Sequence, residues 1–455
     1  MRPRARGRHW ALVALCVSAP LTDLAAETAG IGVVPSLGTT RSMAQPAPTS
    51  PMTSLGFTLG IGETDNVALT DTATQSQTIA TAGLDFGVRR TERFLDLNLN
   101  GDFSYLDYLQ HAYSGQLVGR ADGLAVVTLW SERLKWIVQD DFGDSQVDVF
   151  TPLTPNNLEH VNVFSTGPNL LLRPWIDTFL EVDARYVLSS YQTSPLDGHR
   201  ILGSAAFGRD LSPRSSLSLH ADLEELRYDN TVVNTDYDRR ELYLKYDIQG
   251  ARTEISADVG VAQAEVTGQW TSTPLLRLDL IRTVSAWSVL TLSAGRDFTD
   301  QSDSFSNLRS GAVGGIVVSP VAPSSSTYLS NYASVQWKFS RGRTTFAVTG
   351  RWERDTYITQ TTGLDATQAN IELRLERHLT SVLTAEVFGS ILRSRYLNQP
   401  FTQDSRLAGA GLTYQPGRKV TFTLHYRYTD QDASGGGTSY QENRVFATVT
   451  YRPLL

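Results

Sequence analysis

In the segment FLDLNLNGDF, Asp96, Asn98, Asn100 and Asp102 alternate with Leu95, Leu97 and Leu99. The same alternation sets Glu181, Asp183 and Arg185 against Leu180, Val182 and Ala184, and Glu241 and Lys245 against Leu242 and Leu244. It sets Glu372 and Arg374 against Ile371, Leu373 and Leu375, and Arg427 against Leu424, Tyr426 and Tyr428. Lys135, Asp258, Arg277, Asp279 and Glu386 hold the polar parity of their own segments. A period of two sends the two sets to opposite faces of a strand. In a dry core each unpaired charge on the polar face would cost several kcal/mol, so the pattern predicts a wet interior. Acids exceed bases on that face. Such a wall suits neutral or cationic solutes, or a sugar chain that exchanges hydrogen bonds as it passes. The same charges can also pair across strands and stiffen the wall.

No arrangement for covalent or metal chemistry accompanies this face. The chain holds no HExxH, no GxSxG and no glycine-rich phosphate loop. His111, His160, His199, His220, His378 and His425 lack ligand spacing. The expectation is therefore no enzymatic activity, no catalytic residue, no metal site and no cofactor. DQSDSFSN and TDQDASGGG carry carboxylates of the kind calcium uses, but they read as solvated acidic loops.

The elements that would present this wall run from about Met52 to the C-terminus. Alternating segments of about 10–15 residues recur, each ended by turn chemistry, and no helical face interrupts them. Tight connections such as LWSER, LSPRS, IQGAR and SRGR alternate with long polar ones such as GETDNVALTDTATQ, DVFTPLTPNNLE and TDQDASGGGTSY. With tight turns at one end and long loops at the other, each pair of strands is an up-and-down hairpin. The pattern predicts an all-β protein: a single up-and-down antiparallel transmembrane barrel of about 20 strands (18–22), with short periplasmic turns and long extracellular loops. Trp130, Trp136, Trp175, Trp270, Trp287, Trp337 and Trp352 fall mostly near strand ends, where headgroup-level girdles place aromatic rings. The longest connection, from about Asp300 to Ser325, contains the apolar piece GGIVVSPV. It either folds inward as a constriction or packs over the mouth.

Composition agrees. Formal net charge is −7, 19% of residues are charged, and no basic stripe follows the first nine residues, which argues against nucleic acid as a partner. Mean hydropathy is −0.21. No apolar run of ~18 residues follows the N-terminus, which excludes a bundle of membrane helices but not a barrel. Arg2, Arg4, Arg6 and Arg8 precede an apolar stretch from Ala11 to Leu21, the pattern of a secretory signal peptide. Cleavage is expected after Ala26, with Ala44 the second choice; residues 27–50 read as a flexible leader and 51–455 as the barrel. Cys16 is the only cysteine, so the exported part uses neither disulfides nor thiol-bound metals.

GETDNV (Gly62 to Val67), the hairpin RTERFLDLNLNGDFSYLDY and the hairpin rhythm of about 40 residues carry a resemblance. The chain is similar to proteobacterial outer-membrane barrels of the β-barrel porin and exopolysaccharide-associated (PEP-CTERM system) type. The resemblance implies an outer-membrane location and a role in secreting or assembling a surface polysaccharide. It transfers no catalytic residue. Expected partners are outer-membrane lipid, the barrel-insertion machinery, and polysaccharide or small polar solutes. A structural or adhesive surface barrel with a closed lumen and partner-binding loops is the alternative. Barrels of this kind resemble one another in ending on a strand that the insertion machinery reads. Here Val445, Ala447, Val449, Tyr451 and Leu455 share one parity, with Tyr451 or Leu455 as the residue recognised. A closed barrel pairs its last strand with its first, and Pro453, lacking an N–H, should stop that pairing near Arg452.

Overall fold

Each strand carries a face that only water or charge can satisfy and a face that only lipid or a core can. One sheet closed on itself separates the two. In a computed structural model, residues 52–303, 318–319, 324–358 and 363–453 of the chain are described. The expected signal peptide and leader lie outside the described residues, as does Leu455.

Twenty strands of 12–18 residues follow one another, and each pairs antiparallel with the next. The first, Met52–Thr64, pairs with the last, Tyr440–Tyr451, so the sheet closes. A two-residue strand, Val318–Ser319, lies outside this ring. Among the described residues no helix is long and apolar enough to cross a membrane.

The apolar parity faces out. Leu242 and Leu244 lie opposite Val261 and Val259, with Leu276 next in register, and all five are roughly half exposed. An exposed apolar belt of this extent needs lipid to cover it. Trp130, Trp175 and Trp287 are exposed where strands meet their turns. Arg133 stacks over Trp130 at 4.5 Å and Arg341 over Trp287 at 5.7 Å, an arrangement suited to a headgroup boundary.

Tight turns gather at one end, at residues 131–133, 176–177, 213–214, 250–252, 286–287 and 342–343. The long connections lie at the other, at 65–76, 147–157, 229–236 and 300–327. One connection breaks the expected alternation: between Val266 and Gln269, at the loop-bearing end, only Thr267 and Gly268 turn the chain. Both take left-handed φ (52° and 78°), the geometry that matches a hairpin's twist. The strand that follows, Gln269–Ser285, begins its pairing with Ser288–Thr299 only at Leu276. Among the described residues, 269–275 therefore have a paired neighbour on one side only, and Pro274 falls within them.

Closure is secured by side chains as well as backbone. Glu442 is buried at the seam, accepts from Thr64 Oγ1 at 2.8 Å, and pairs with Arg444 at 3.0 Å and Arg427 at 3.3 Å. Asn443 Nδ2 donates to Asp65 at 2.7 Å. Pairing with the first strand ends at Tyr451, and the Arg452 N–H bonds Lys419 O at 2.7 Å, so ordered contacts stop where Pro453 dictates. Tyr451 is exposed on the lipid-facing parity. Removing the seam carboxylate leaves two guanidinium groups facing each other with no counter-charge. Glu442→Ala should therefore cost about 3 kcal/mol or more. The temperature at which the folded band converts to the unfolded one in detergent gels should fall, while the outward Val449→Ala leaves it nearly unchanged.

Candidate functional site

The inner wall divides into a wet lane and a packed ionic cluster. The lane runs across four neighbouring strands. Register sets Asp85 opposite Asp102, Asn100 opposite Asp122, and Asp122 opposite Asp141. Asp102 is exposed to the lumen and the other three aspartates are half-buried. Amides serve them: Asn100 Nδ2 donates to Asp122 at 3.1 Å and Gln139 Nε2 to Asp141 at 2.7 Å. Arg452 reaches Asp85 at 3.4 Å. Carboxylates set directly opposite one another repel, and here Arg120, opposite Asp102 in register, and Arg452 offset part of that repulsion.

Farther round, Asn169 Nδ2 donates to Glu181 at 2.8 Å and to Asp183 at 3.1 Å, and Arg185 pairs with Asp183 at 2.7 Å. Lys135 lies opposite Asn169. On the strands after Tyr328, Arg374 pairs with Glu386 at 3.3 Å and Asn370 donates to Glu372 at 2.8 Å. Asp96 accepts from Thr91, and Asp279 faces Ser293.

The ionic cluster fills the wall where the strands Gly198–Ser212, Ser215–Tyr228 and Tyr237–Gln249 adjoin. Arg200 is 2% exposed and pairs with Glu224 at 3.0 Å, Asp300 at 2.5 Å, and Asp303; its NH2 donates to Ser302 Oγ at 2.7 Å. Arg239 pairs with Glu224 and, at 3.3 Å, with Asp303. The Tyr237 hydroxyl lies between Glu224, at 2.9 Å, and Asp300. The network continues through Glu241 and Arg277, 2.8 Å apart, to Asp297 at 2.7 Å, with Asp258 beyond at 3.8 Å.

Of the residues nominated from sequence, the structure brings together Glu241, Arg277 and Asp258, then Glu181, Asp183 and Arg185, then Arg374 and Glu386. Asp96, Asp102 and Lys135 stand apart from these groups, Asp279 lies beside Arg277 and Asp258 on the same face, and Arg427 belongs to the seam. Lys245 faces Asp258 across the strand pair. Sequence reasoning did not single out Arg200, Tyr237, Arg239 or Asp297. Arg239 has the parity of Glu241, the one signal that pointed to it.

One expectation is corrected. Asp300 and Asp303 were expected in a solvated loop, but both are buried, because Arg200 and Arg239 face inward beside them. Oxygens of Glu224, Asp300 and Asp303 lie within 4.8 Å of one another, as metal ligands would. Guanidinium groups already occupy the cation's place. The connection after Asp303 also reaches a strand in the other half of the ring, where Val318–Ser319 pairs in parallel with Asp144–Ser145. The piece GGIVVSPV otherwise lies outside the described residues.

Two guanidiniums face three carboxylates in the Arg200–Arg239 cluster, and the surplus falls on Asp303. Burial, with the Asp300 and Glu224 carboxylates, outweighs Arg200 and pushes Asp303 up to about 7. Burial also pushes Asp300 up, but Arg200 and the Tyr237 hydroxyl overcome it and hold Asp300 at about 2. A released Asp303 titrates at about 4. Between about pH 4 and 7 the anchored state therefore binds one more proton, so the anchor weakens as pH rises through that window and levels off above it. Hydrogen exchange at the Ser302 and Asp303 amides, corrected for its intrinsic pH dependence, should show protection falling from pH 4 to 7. Asp303→Asn should flatten that profile.

Residues 325–453 match the family model described as "Putative beta-barrel porin 2". Solved structures with a similar trace include the FrpB iron transporter of Neisseria meningitidis, at 10% identity and a TM-score of 0.43, over 88% of this chain and 82% of that one. The ferric enterobactin receptor PfeA of Pseudomonas aeruginosa gives 9% identity and 0.46, over 88% and 80%. The siderophore receptor PirA of the same organism gives 11% and 0.43, over 89% and 81%. Likeness of this degree carries nothing about what passes through the barrel. Among curated proteins there is no match.

Proposed function

We propose that this porin-like β-barrel of outer-membrane type is a passive, polar-lined conduit that resides in the outer membrane after cleavage of its signal peptide. Its solutes are neutral or cationic and polar, and a polysaccharide chain in export is the largest of them. The observation that supports this reading is the lane of Asp85, Asp102, Asp122 and Asp141, interleaved with Asn98, Asn100 and Gln139, on four adjacent strands. Amide donors and carboxylate acceptors in series offer successive hydrogen bonds to hydroxyl groups without holding any one of them tightly. Fixed negative charge in a low-dielectric wall concentrates cations and repels anions. A ring of 20 strands is too wide for side chains alone to fill.

The anchored segment Asp300–Asp303 favours a second reading, in which the lumen is closed and the barrel serves as a structural or adhesive surface protein. Planar-bilayer recording in a potassium chloride gradient separates the two. The conduit should give a cation-selective reversal potential. Replacing all four lane aspartates by asparagine should lower that selectivity roughly 3-fold or more. A neutral oligosaccharide should interrupt the current; a current indifferent to it would remove the polysaccharide part. No current, even after deletion of residues 304–323, would overturn the conduit and leave the closed barrel.

A further inference from the structure

The outward face carries a second pattern, independent of the lumen. At the loop-bearing end, register aligns Asn331, Arg354, Thr367, Arg395, Thr402 and Ser434 in one row across six neighbouring strands. The row shares the parity of Trp352, Ile371 and Ile391, which are 43%, 55% and 57% exposed. None is a carboxylate; Thr402 and Ser434 share one hydrogen bond of 2.6 Å, and Asn331 Nδ2 donates to Arg354 O at 3.5 Å. Arg354 and Arg395 are exposed and have no ion-pair partner among the described residues. Just below, Arg393 forks onto Asp404 through two contacts of 2.6 Å, and Arg406 reaches Asp430 at 3.5 Å. Asp432 lies opposite Asp404 on the same face, so four guanidiniums face three carboxylates and one positive charge is left over.

The height of the row fits a membrane boundary. Arg393 stands about ten residues up its strand from Leu383, which pairs with the exposed Tyr414. A tilted strand gains about 2.5 Å of height per residue, so the interval is about 25 Å, the depth of the apolar band on an outer-membrane barrel. Directly beneath Arg354 and Thr367 lie Trp352 and Ala369, with Ile371 below them, a surface for hydrocarbon; beneath Arg395 and Thr402 lies the Arg393–Asp404 pair.

We propose that this row is a docking site for a phosphorylated lipid in the leaflet at the loop-bearing end. Arg354 and Arg395 take the phosphate oxygens, the hydroxyl of Thr367 donates between them, and the acyl chains lie against Trp352, Ala369 and Ile371. Guanidinium groups suit phosphate because their planar forks meet two oxygens at once. The row is flat and continuous with an apolar surface, so it offers a soluble phosphate half a shell and a lipid a complete one. The proposal rests on the barrel spanning a bilayer and not on what its lumen carries.

The test uses the whole barrel in phosphatidylcholine nanodiscs containing diphosphorylated lipid A or its dephosphorylated form, with retained lipid measured by native mass spectrometry. The wild-type chain should prefer the phosphorylated form about tenfold. Arg354→Gln with Arg395→Gln should reduce the preference below about threefold, while Arg240→Gln, at the same end on another strand, leaves it intact. If the double variant fails to give the heat-sensitive folded band, Arg395→Gln alone should still halve the preference. Equal retention of both lipids by the wild type, or an unchanged preference in the folded double variant, would overturn the site. Displacement of the lipid by millimolar inorganic phosphate would overturn the lipid as its ligand.

Discussion

Everything in this barrel depends on the absence of a free edge within the lipid. A backbone N–H or C=O facing hydrocarbon without a partner costs several kcal/mol, and an open sheet would expose a whole row of them. The pairing of Phe57–Thr64 with Arg444–Tyr451 removes that cost, and it does so between segments almost four hundred positions apart. Side chains then reinforce the junction most open to fraying. Glu442 supplies charge to two arginines and accepts from Thr64 on the partner strand, so the carboxylate holds first and last strands in register. Once the ring is closed, inside and outside are defined, and a sequence period of two becomes a division between water and lipid.

That period made most of the fold legible. Leu95 to Asp102 and Ile371 to Glu376 have a single consistent reading, because a slip of one residue would turn every charge toward lipid. The tail was equally clear, since Pro453 cannot donate to a ladder. The interior was less so. Alternation says that Arg200 points inward but not what it meets. Its partners Asp300 and Asp303 lie about a hundred positions away, on a connection whose path the strands do not dictate. Periodicity is a statement about one strand, whereas the cluster is a statement about register: Leu226 lies opposite both Arg200 and Tyr237, and Glu224 lies opposite Arg239.

The two regions of inner wall solve opposite problems. On the lane, like charges stand opposite one another with amides and with Arg120 and Arg452 among them. In the cluster, water is excluded, and each charge must be matched within the protein. A matched buried network adds little net stability, since the desolvation of its ions offsets their attraction. What it provides is position. Arg200 and Arg239 fix the position of the segment Asp300–Asp303, and Asp303 makes that fixation depend on a proton.

Among the described residues, the stretch from Gln269 to Leu275 has one hydrogen-bonded neighbour strand, which leaves a short strand flank without a ladder on its other side. Such a flank is a template onto which a foreign polypeptide can add itself. Pro274 removes one amide from that template, and Arg296 reaches across to Thr273 Oγ1 at 2.9 Å, covering part of what remains. Both features make this flank a poor template for β-augmentation by another chain.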